Sequence, residues 1–205
     1  LLESRGLGDV YKRQPLRRSS PTVHEKWNPN VGILSGDALM VMAYQQLNQF
    51  HGKAKEPIID LFNKTAMEVC EGQQFDMDYE RRENISLEEY LSMIELKTSV
   101  LIAACFKMGA MAAGATEKAA DNLYEFGRNL GISFQLQDDF LDAFGEEDKF
   151  GKLRGGDIIA GKKTSLWLKA ISLSEGTGQN NRLHSLQHDK SLQDAERVES
   201  VIEIY

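Results

Sequence analysis

Three features of the sequence predict an all-α fold. Proline is absent beyond Pro57, and Pro15, Pro21 and Pro29 all lie near the start, so nothing of that kind interrupts long helices. Apolar residues recur at helical spacing through most of residues 31–144. No stretch alternates apolar and polar residues as a half-buried strand would. Several helices of about 15–20 residues then pack as a bundle.

The elements follow in order. Residues 1–14, LLESRGLGDVYKRQ, show neither helical periodicity nor a cap, and read as a non-native junction segment; residues 15–205 form the domain. A polar, basic loop spans 15–29. Leu34, Ala38, Val41 and Met42 mark a helix over 31–50, stopped by Gly52. Pro57 sits at a tolerated first-turn position of a helix over 57–75. Ser86-Leu-Glu-Glu89 is a capping box that opens a helix running to about residue 113. The next helix covers 116–144, and a charged, glycine-rich loop covers 145–161. A helix at 164–172, a linker at 174–181 and a last helix from 192 complete the chain. The repeat Val198, Val201, Ile202, Tyr205 carries no cap, so a truncated end is expected.

The bulk properties exclude several classes. The chain has 205 residues, 41% hydrophobic and 27% charged, which suits one soluble domain. A net charge of −7 argues against a general nucleic-acid binder. The longest apolar stretch is interrupted by Lys107 and is too short to span a bilayer, and no stretch reads as a signal peptide, so a cytoplasmic protein is expected. Cys70 and Cys105 match no ligand spacing and sit in apolar helical patterns, which predicts reduced core residues.

The chemistry concentrates in Phe134-Gln-Leu-Gln-Asp-Asp-Phe-Leu-Asp142. At about 100° per residue, Gln135, Asp138 and Asp142 fall within roughly 60° of one another, with Asp139 beside them. Like charges so spaced destabilise a helix, yet no Lys or Arg lies within a turn and the flanks are aromatic. Hard oxygen ligands on one face suit Mg²⁺ shared with a substrate phosphate. The following loop supplies matching cations: Lys149, Lys152, Arg154, Lys162 and Lys163, among Gly151, Gly155, Gly156 and Gly161. Gly156-x-x-x-x-Gly161-Lys162 imitates a nucleotide phosphate loop, but Lys163 stands where Ser or Thr should follow and no buried strand precedes it. His184-x-x-x-His188 is a weaker metal candidate in polar, linker-like surroundings.

Several separate motifs in order resemble the trans-isoprenyl diphosphate synthase family. They are Pro-Leu-Arg17-Arg18 with Pro-Thr-Val-His24, Leu34-Ser-Gly36-Asp37, Gly72-Gln73-Gln-Phe-Asp76, Lys97-Thr98, the Gln135 to Asp142 segment, and Gly151-Lys152 through Gly156-Asp157 to Lys162-Lys163-Thr164. The resemblance covers residues 15–205. It implies an isoprenoid-synthase-type helical bundle around a central cavity, here partial, and a homodimer. It implies a Mg²⁺-dependent prenyltransferase that condenses isopentenyl diphosphate with an allylic prenyl diphosphate. Asp138, Asp139 and Asp142 would bind Mg²⁺. Lys97, Lys152 and Lys162 would hold the allylic diphosphate, as would Arg17, with Arg18 on isopentenyl diphosphate. Gln73 and Asp76 would lie near the metal and first diphosphate, and Thr98 and Gln135 would steady the carbocation, so Lys97, Thr98, Gln135 and Asp138 form the expected catalytic set.

One departure stands out. The family's first aspartate-rich motif should precede Arg17, where this sequence has only Asp9. A cut and rejoined reading frame is one explanation; a non-catalytic subunit of a heteromeric prenyl synthase is another. A class I terpene cyclase is a further rival, opposed by the Lys97-Thr98 and Arg17-Arg18 pairs, which look built for a second diphosphate. The expected outcome for the 205-residue chain assayed with both diphosphates and Mg²⁺ is little or no condensation, and robust Mg²⁺-dependent product formation contradicts it.

Overall fold

The structure is a computed structural model that describes residues 16–17, 20–146, 154–189 and 191–205, with Leu16, Arg17 and His188 described as backbone only. The chain divides into two compact units, Leu1–Ile59 and Asp60–Tyr205. In the first, β1 (Leu16–Arg17) and β2 (Ser20–Pro21) form a minimal antiparallel ribbon pairing Leu16 with Pro21 and Arg17 with Ser20. This ribbon is too short to carry the alternation by which a strand is read from sequence. It leads to α1 (Val23–Lys26) and α2 (Pro29–Gln49). The side chain of Asn28 caps α2 by accepting from Val31 N–H at 3.0 Å, with Pro29 in the first turn.

Helix α3 (Lys55–Arg81) begins in the first unit and continues through the second. The second unit then contains α4 (Leu87–Ile94), a π-helical turn (Glu95–Ser99), α5 (Val100–Ala112), α6 (Glu117–Phe144), α7 (Gly156–Ile159), α8 (Ser165–Leu173), α9 (Gly178–His188) and α10 (Asp194–Ile202). Both halves of the Ser86–Glu89 capping box are formed, at 3.1 and 2.8 Å. Gly114, at φ +77°, turns the chain between α5 and α6, and the Gly114 and Ala115 amides donate to the Met111 and Ala110 carbonyls as in a Schellman cap.

Two glycines set how closely the helices approach the π turn. A Cβ on Gly72 of α3 would stand 2.4 Å from the Lys97 nitrogen, and one on Gly131 of α6 would stand 2.5 Å from the Ser99 Cα. Hydrogen in place of a methyl group lets both helices pack directly on the backbone of residues 95–99. Gly127 makes the same close approach to Ala103, so α5 and α6 run antiparallel in tight contact. Arg128 adds an ion pair from α6 to Glu95 at 3.2 Å.

Two apolar clusters complete the second unit. Tyr90, Met93 and Ile94 are buried against Tyr79 of α3, Ile132 and Leu136 of α6, and Leu168 of α8. Burying each such side chain contributes about 2 kcal/mol before entropy is counted. Trp167, Leu183, Leu186 and Val201 join α8, α9 and α10, with Ile158 and Tyr205 against them.

The all-α expectation holds, with local corrections. Helix α3 runs six residues past the expected end at 75, because Tyr79 packs on the Tyr90 cluster. The helix expected from the Ser86 cap to residue 113 is broken by the π turn, which apolar spacing does not register. The expected linker at 174–181 overlaps α9, whose Leu183 and Leu186 are buried despite polar neighbours. Cys70 and Cys105 are exposed rather than core residues. Gly131→Ala is expected to destabilise the protein by about 1–3 kcal/mol through overpacking. Gly109→Ala, where a Cβ meets nothing within 4 Å, should be neutral or stabilising by up to about 1 kcal/mol. Urea unfolding of both variants checks the contrast.

Candidate active site

The π turn displays Lys97 and Thr98. The Lys97 ammonium reaches Asp76 Oδ2 of α3 at 2.5 Å, and the Gln73 amide donates to the same oxygen at 3.4 Å. Gln73 and Asp76 are three apart and share a helix face. All three side chains are half-buried, where an ion pair is less screened than on the surface. The Thr98 hydroxyl donates to Gln135 Oε1 at 3.4 Å, which joins the turn to α6. Residues of two separate motifs, Gln73 with Asp76 and Lys97 with Thr98, thus meet around one turn, and Gln135 extends the group.

The acidic stripe of α6 divides its work. Asp139 is 4% exposed. Its Oδ2 accepts from Tyr90 O–H at 2.5 Å, Ser165 O–H at 2.8 Å and Ser165 N–H at 3.1 Å; its Oδ1 accepts from Gln135 N–H at 3.3 Å. Burial pushes its carboxyl up from the ordinary range, and these four donors only partly offset that cost. Burial and the neighbouring Asp139 carboxylate likewise push the Tyr90 phenol up, keeping it a protonated donor. Asp139, expected among the metal ligands, accepts protein donors on both oxygens, which ties α6 to α4 and α8. Asp138 and Asp142 are half-buried. Asp142 Oδ2 accepts from Asp157 N–H at 2.9 Å at the start of α7, and its carbonyl accepts from Gly155 N–H at 2.7 Å. Gly155 takes the left-handed φ of +75° that this turn requires.

Of the expected loop cations, Lys162 pairs with Asp157. Burial opposes its charge, but Asp157, Asp76 and Asp142 outweigh it and hold the ammonium above the usual lysine range. Lys162 therefore stands among carboxylates from α3, α6 and α7. Arg154 and Lys163 serve helix ends instead. The Arg154 guanidinium donates to the Ala143 carbonyl at 2.9 Å and to Glu199 at 2.9 Å, and Lys163 Nζ donates to the Tyr79 carbonyl at 3.4 Å. Arg17 lies in β1; Arg18, Lys149 and Lys152 lie outside the described residues. The His184 ring meets Trp167 edge-on at 6.1 Å, a packing role.

Among the described residues, no three His, Cys, Asp or Glu side chains form a preformed cage for a metal ion. Mg²⁺ keeps several waters and takes one or two carboxylates plus substrate phosphates; Asp138 and Asp142 on one helix face would offer such hard oxygens. Tyr90, Ser165 and Asp157 were missed in the sequence. A tyrosine hydroxyl in an apolar cluster needs a partner, which was the available signal for Tyr90.

The polyprenyl synthetase family matches residues 8–205. Geranylgeranyl diphosphate synthase of Methanosarcina mazei is 42% identical over 165 residues, 80% of this chain and 51% of that protein, so the chain spans about half the length of this curated relative. A crystal structure of geranylgeranyl pyrophosphate synthase aligns with a TM-score of 0.90 at 42% identity, over 96% of this chain and 61% of that one. The geranylgeranyl pyrophosphate synthase of Corynebacterium glutamicum, solved with isoprenyl diphosphate and magnesium, aligns with a TM-score of 0.82 at 28% identity, over 96% of this chain and 60% of that one. The convergence of Gln73, Asp76, Lys97, Thr98 and Gln135 beside the acidic stripe, taken with these matches, establishes that the chain belongs to the polyprenyl synthetase family of trans-prenyltransferases.

Proposed function

We propose that this chain carries the part of a prenyltransferase that holds an allylic diphosphate, through Mg²⁺, for condensation with isopentenyl diphosphate. The observation that carries the reading is a pair of ammonium–carboxylate contacts, Lys97 with Asp76 and Lys162 with Asp157, with the Asp76 and Asp142 charges also favouring the Lys162 ammonium. An acidic protein that binds a polyanion needs such a local supply of cation and metal ligands.

Asp138 and Asp142 would hold the metal. Mg²⁺, when bound, neutralises charge on the departing diphosphate. Lys97 and Lys162 exchange their carboxylate partners for diphosphate oxygens, with Lys152, Arg17 and Arg18 proposed as further contacts. Gln73 and Asp76 hold Lys97 in place until then. The allylic C–O bond breaks with its electron pair leaving on the diphosphate. The hydroxyl of Thr98 and the amide of Gln135 turn dipoles toward the cation left behind. The alkene of isopentenyl diphosphate attacks that cation, one carbon–carbon bond forms and the released diphosphate takes the proton lost from the adjacent carbon, which lengthens the chain by one five-carbon unit.

A homodimer is part of the same proposal. Leu123, Phe126, Leu130 and Phe134 form one exposed apolar stripe along α6, and Phe106 of α5 stacks edge-on with Phe126 at 5.3 Å. An apolar stripe of this kind suits burial against a second copy. No helix among the described residues is long and apolar enough to cross a membrane, and we infer a cytoplasmic enzyme.

The complete reading frame that carries these residues should condense isopentenyl diphosphate with an allylic diphosphate in Mg²⁺ and stop when the metal is chelated. Asp138→Ala should cost at least about a hundredfold in turnover, the usual scale for removing an electrostatic catalytic group; a wild-type rate in that variant defeats the assignment. Phe126→Glu should shift the molar mass by light scattering from dimer to monomer, and an unchanged mass excludes α6 as the interface.

A further inference from the structure

We propose that Tyr90, acting through Asp139, is a positioning residue that fixes which end of the Gln135 amide faces Thr98. This inference rests on the proposed function, in which Gln135 and Thr98 face the reacting carbons. A carboxylate only accepts hydrogen bonds, so Asp139 Oδ1 admits the NH₂ end of Gln135, at 3.3 Å, and rejects the oxygen end. The amide oxygen is thereby left on the Thr98 side, where it accepts the hydroxyl at 3.4 Å. The negative ends of both dipoles are then available to a cation.

Asp139 can dictate this only if it does not move. Its other oxygen is held by Tyr90 O–H at 2.5 Å and by both donors of Ser165. Tyr90 is buried in the cluster with Met93 and Ile94. It belongs to the same helical run that carries Lys97 and Thr98, so one rigid element sets both partners of Gln135. Tyr90 touches no proposed substrate atom, and its effect passes through two side chains.

Two measurements test the proposal. In the chain labelled with ¹⁵N-glutamine, the Gln135 side-chain amide should exchange slowly, and Tyr90→Phe should speed that exchange by up to about tenfold, the scale of one lost hydrogen bond. In the complete reading frame, Tyr90→Phe should lower kcat by about tenfold to a hundredfold with KM for both diphosphates and the Mg²⁺ requirement unchanged. Asp139→Asn, which keeps the shape but can donate as well as accept, should reproduce the kcat loss without raising the Mg²⁺ needed for half activation. It also serves if Tyr90→Phe does not fold. Wild-type exchange and wild-type kcat in a folded Tyr90→Phe overturn the proposal, as does an Asp139→Asn whose defect is repaired by excess Mg²⁺. A wild-type complete reading frame that condenses nothing overturns the proposed function alone, and the amide exchange then decides the positioning.

Discussion

The contact on which the rest depends is the close approach of α3 and α6 to the backbone of residues 95–99. Gly72 and Gly131 meet that segment from two helices at distances no Cβ could occupy. Side chains on a π turn are displaced by about 100° from where an uninterrupted helix would put them. Lys97 and Thr98 consequently reach Asp76 and Gln135 on different helices. The turn costs helical regularity; the Tyr90 cluster and the Arg128–Glu95 pair offset that cost locally. Such a segment, fixed by packing on both sides, can hold a cation and a hydroxyl in constant relation to a substrate.

The acidic stripe illustrates how one charge pattern serves two purposes. Asp139 faces inward, is met by four protein donors and ties α6 to α4 and α8. Asp142 receives the amide of Asp157 and so docks the segment after the loop onto the stripe. Asp138 and Asp142 remain half-buried, and these are the two carboxylates we propose for a shared metal. Without the inward anchor the helix would carry its like charges on a mobile element. Lys162 is held above its usual range by Asp157, Asp76 and Asp142 against the opposing effect of burial, so the charge around it is locally negative.

Much of this was legible in the sequence. Helical periodicity and the capping box at Ser86 located the main helices, and the spacing of Gln135, Asp138 and Asp142 marked the candidate face of α6. The pairing of Asp76 with Lys97 follows the order of motifs but not any local rule, since it joins residues on different helices. The π turn was hidden because Glu95-Leu-Lys-Thr-Ser99 contains no proline or glycine to mark a break in the helix. The burial of Asp139 was hidden because a carboxylate on an acidic stripe looks like its neighbours until its donors are placed. Arg154 and Lys163 read as phosphate-binding cations, yet helix carbonyls compete for them. Cys70 and Cys105 followed an apolar pattern onto exposed faces, as did Leu123 and Phe126 on α6.

The central claim is that metal and diphosphate are held by Asp138, Lys97 and Lys162 while Asp139 stays with the protein. A crystal structure of the protein with Mg²⁺ and an allylic diphosphate analogue that cannot ionise tests it most directly. We expect an Asp138 oxygen about 2.1 Å from the metal, both ammonium groups on diphosphate oxygens, and Asp139 still bonded to Tyr90 and Ser165. A diphosphate bound elsewhere, or Asp139 swung into the metal's coordination shell, would contradict the account.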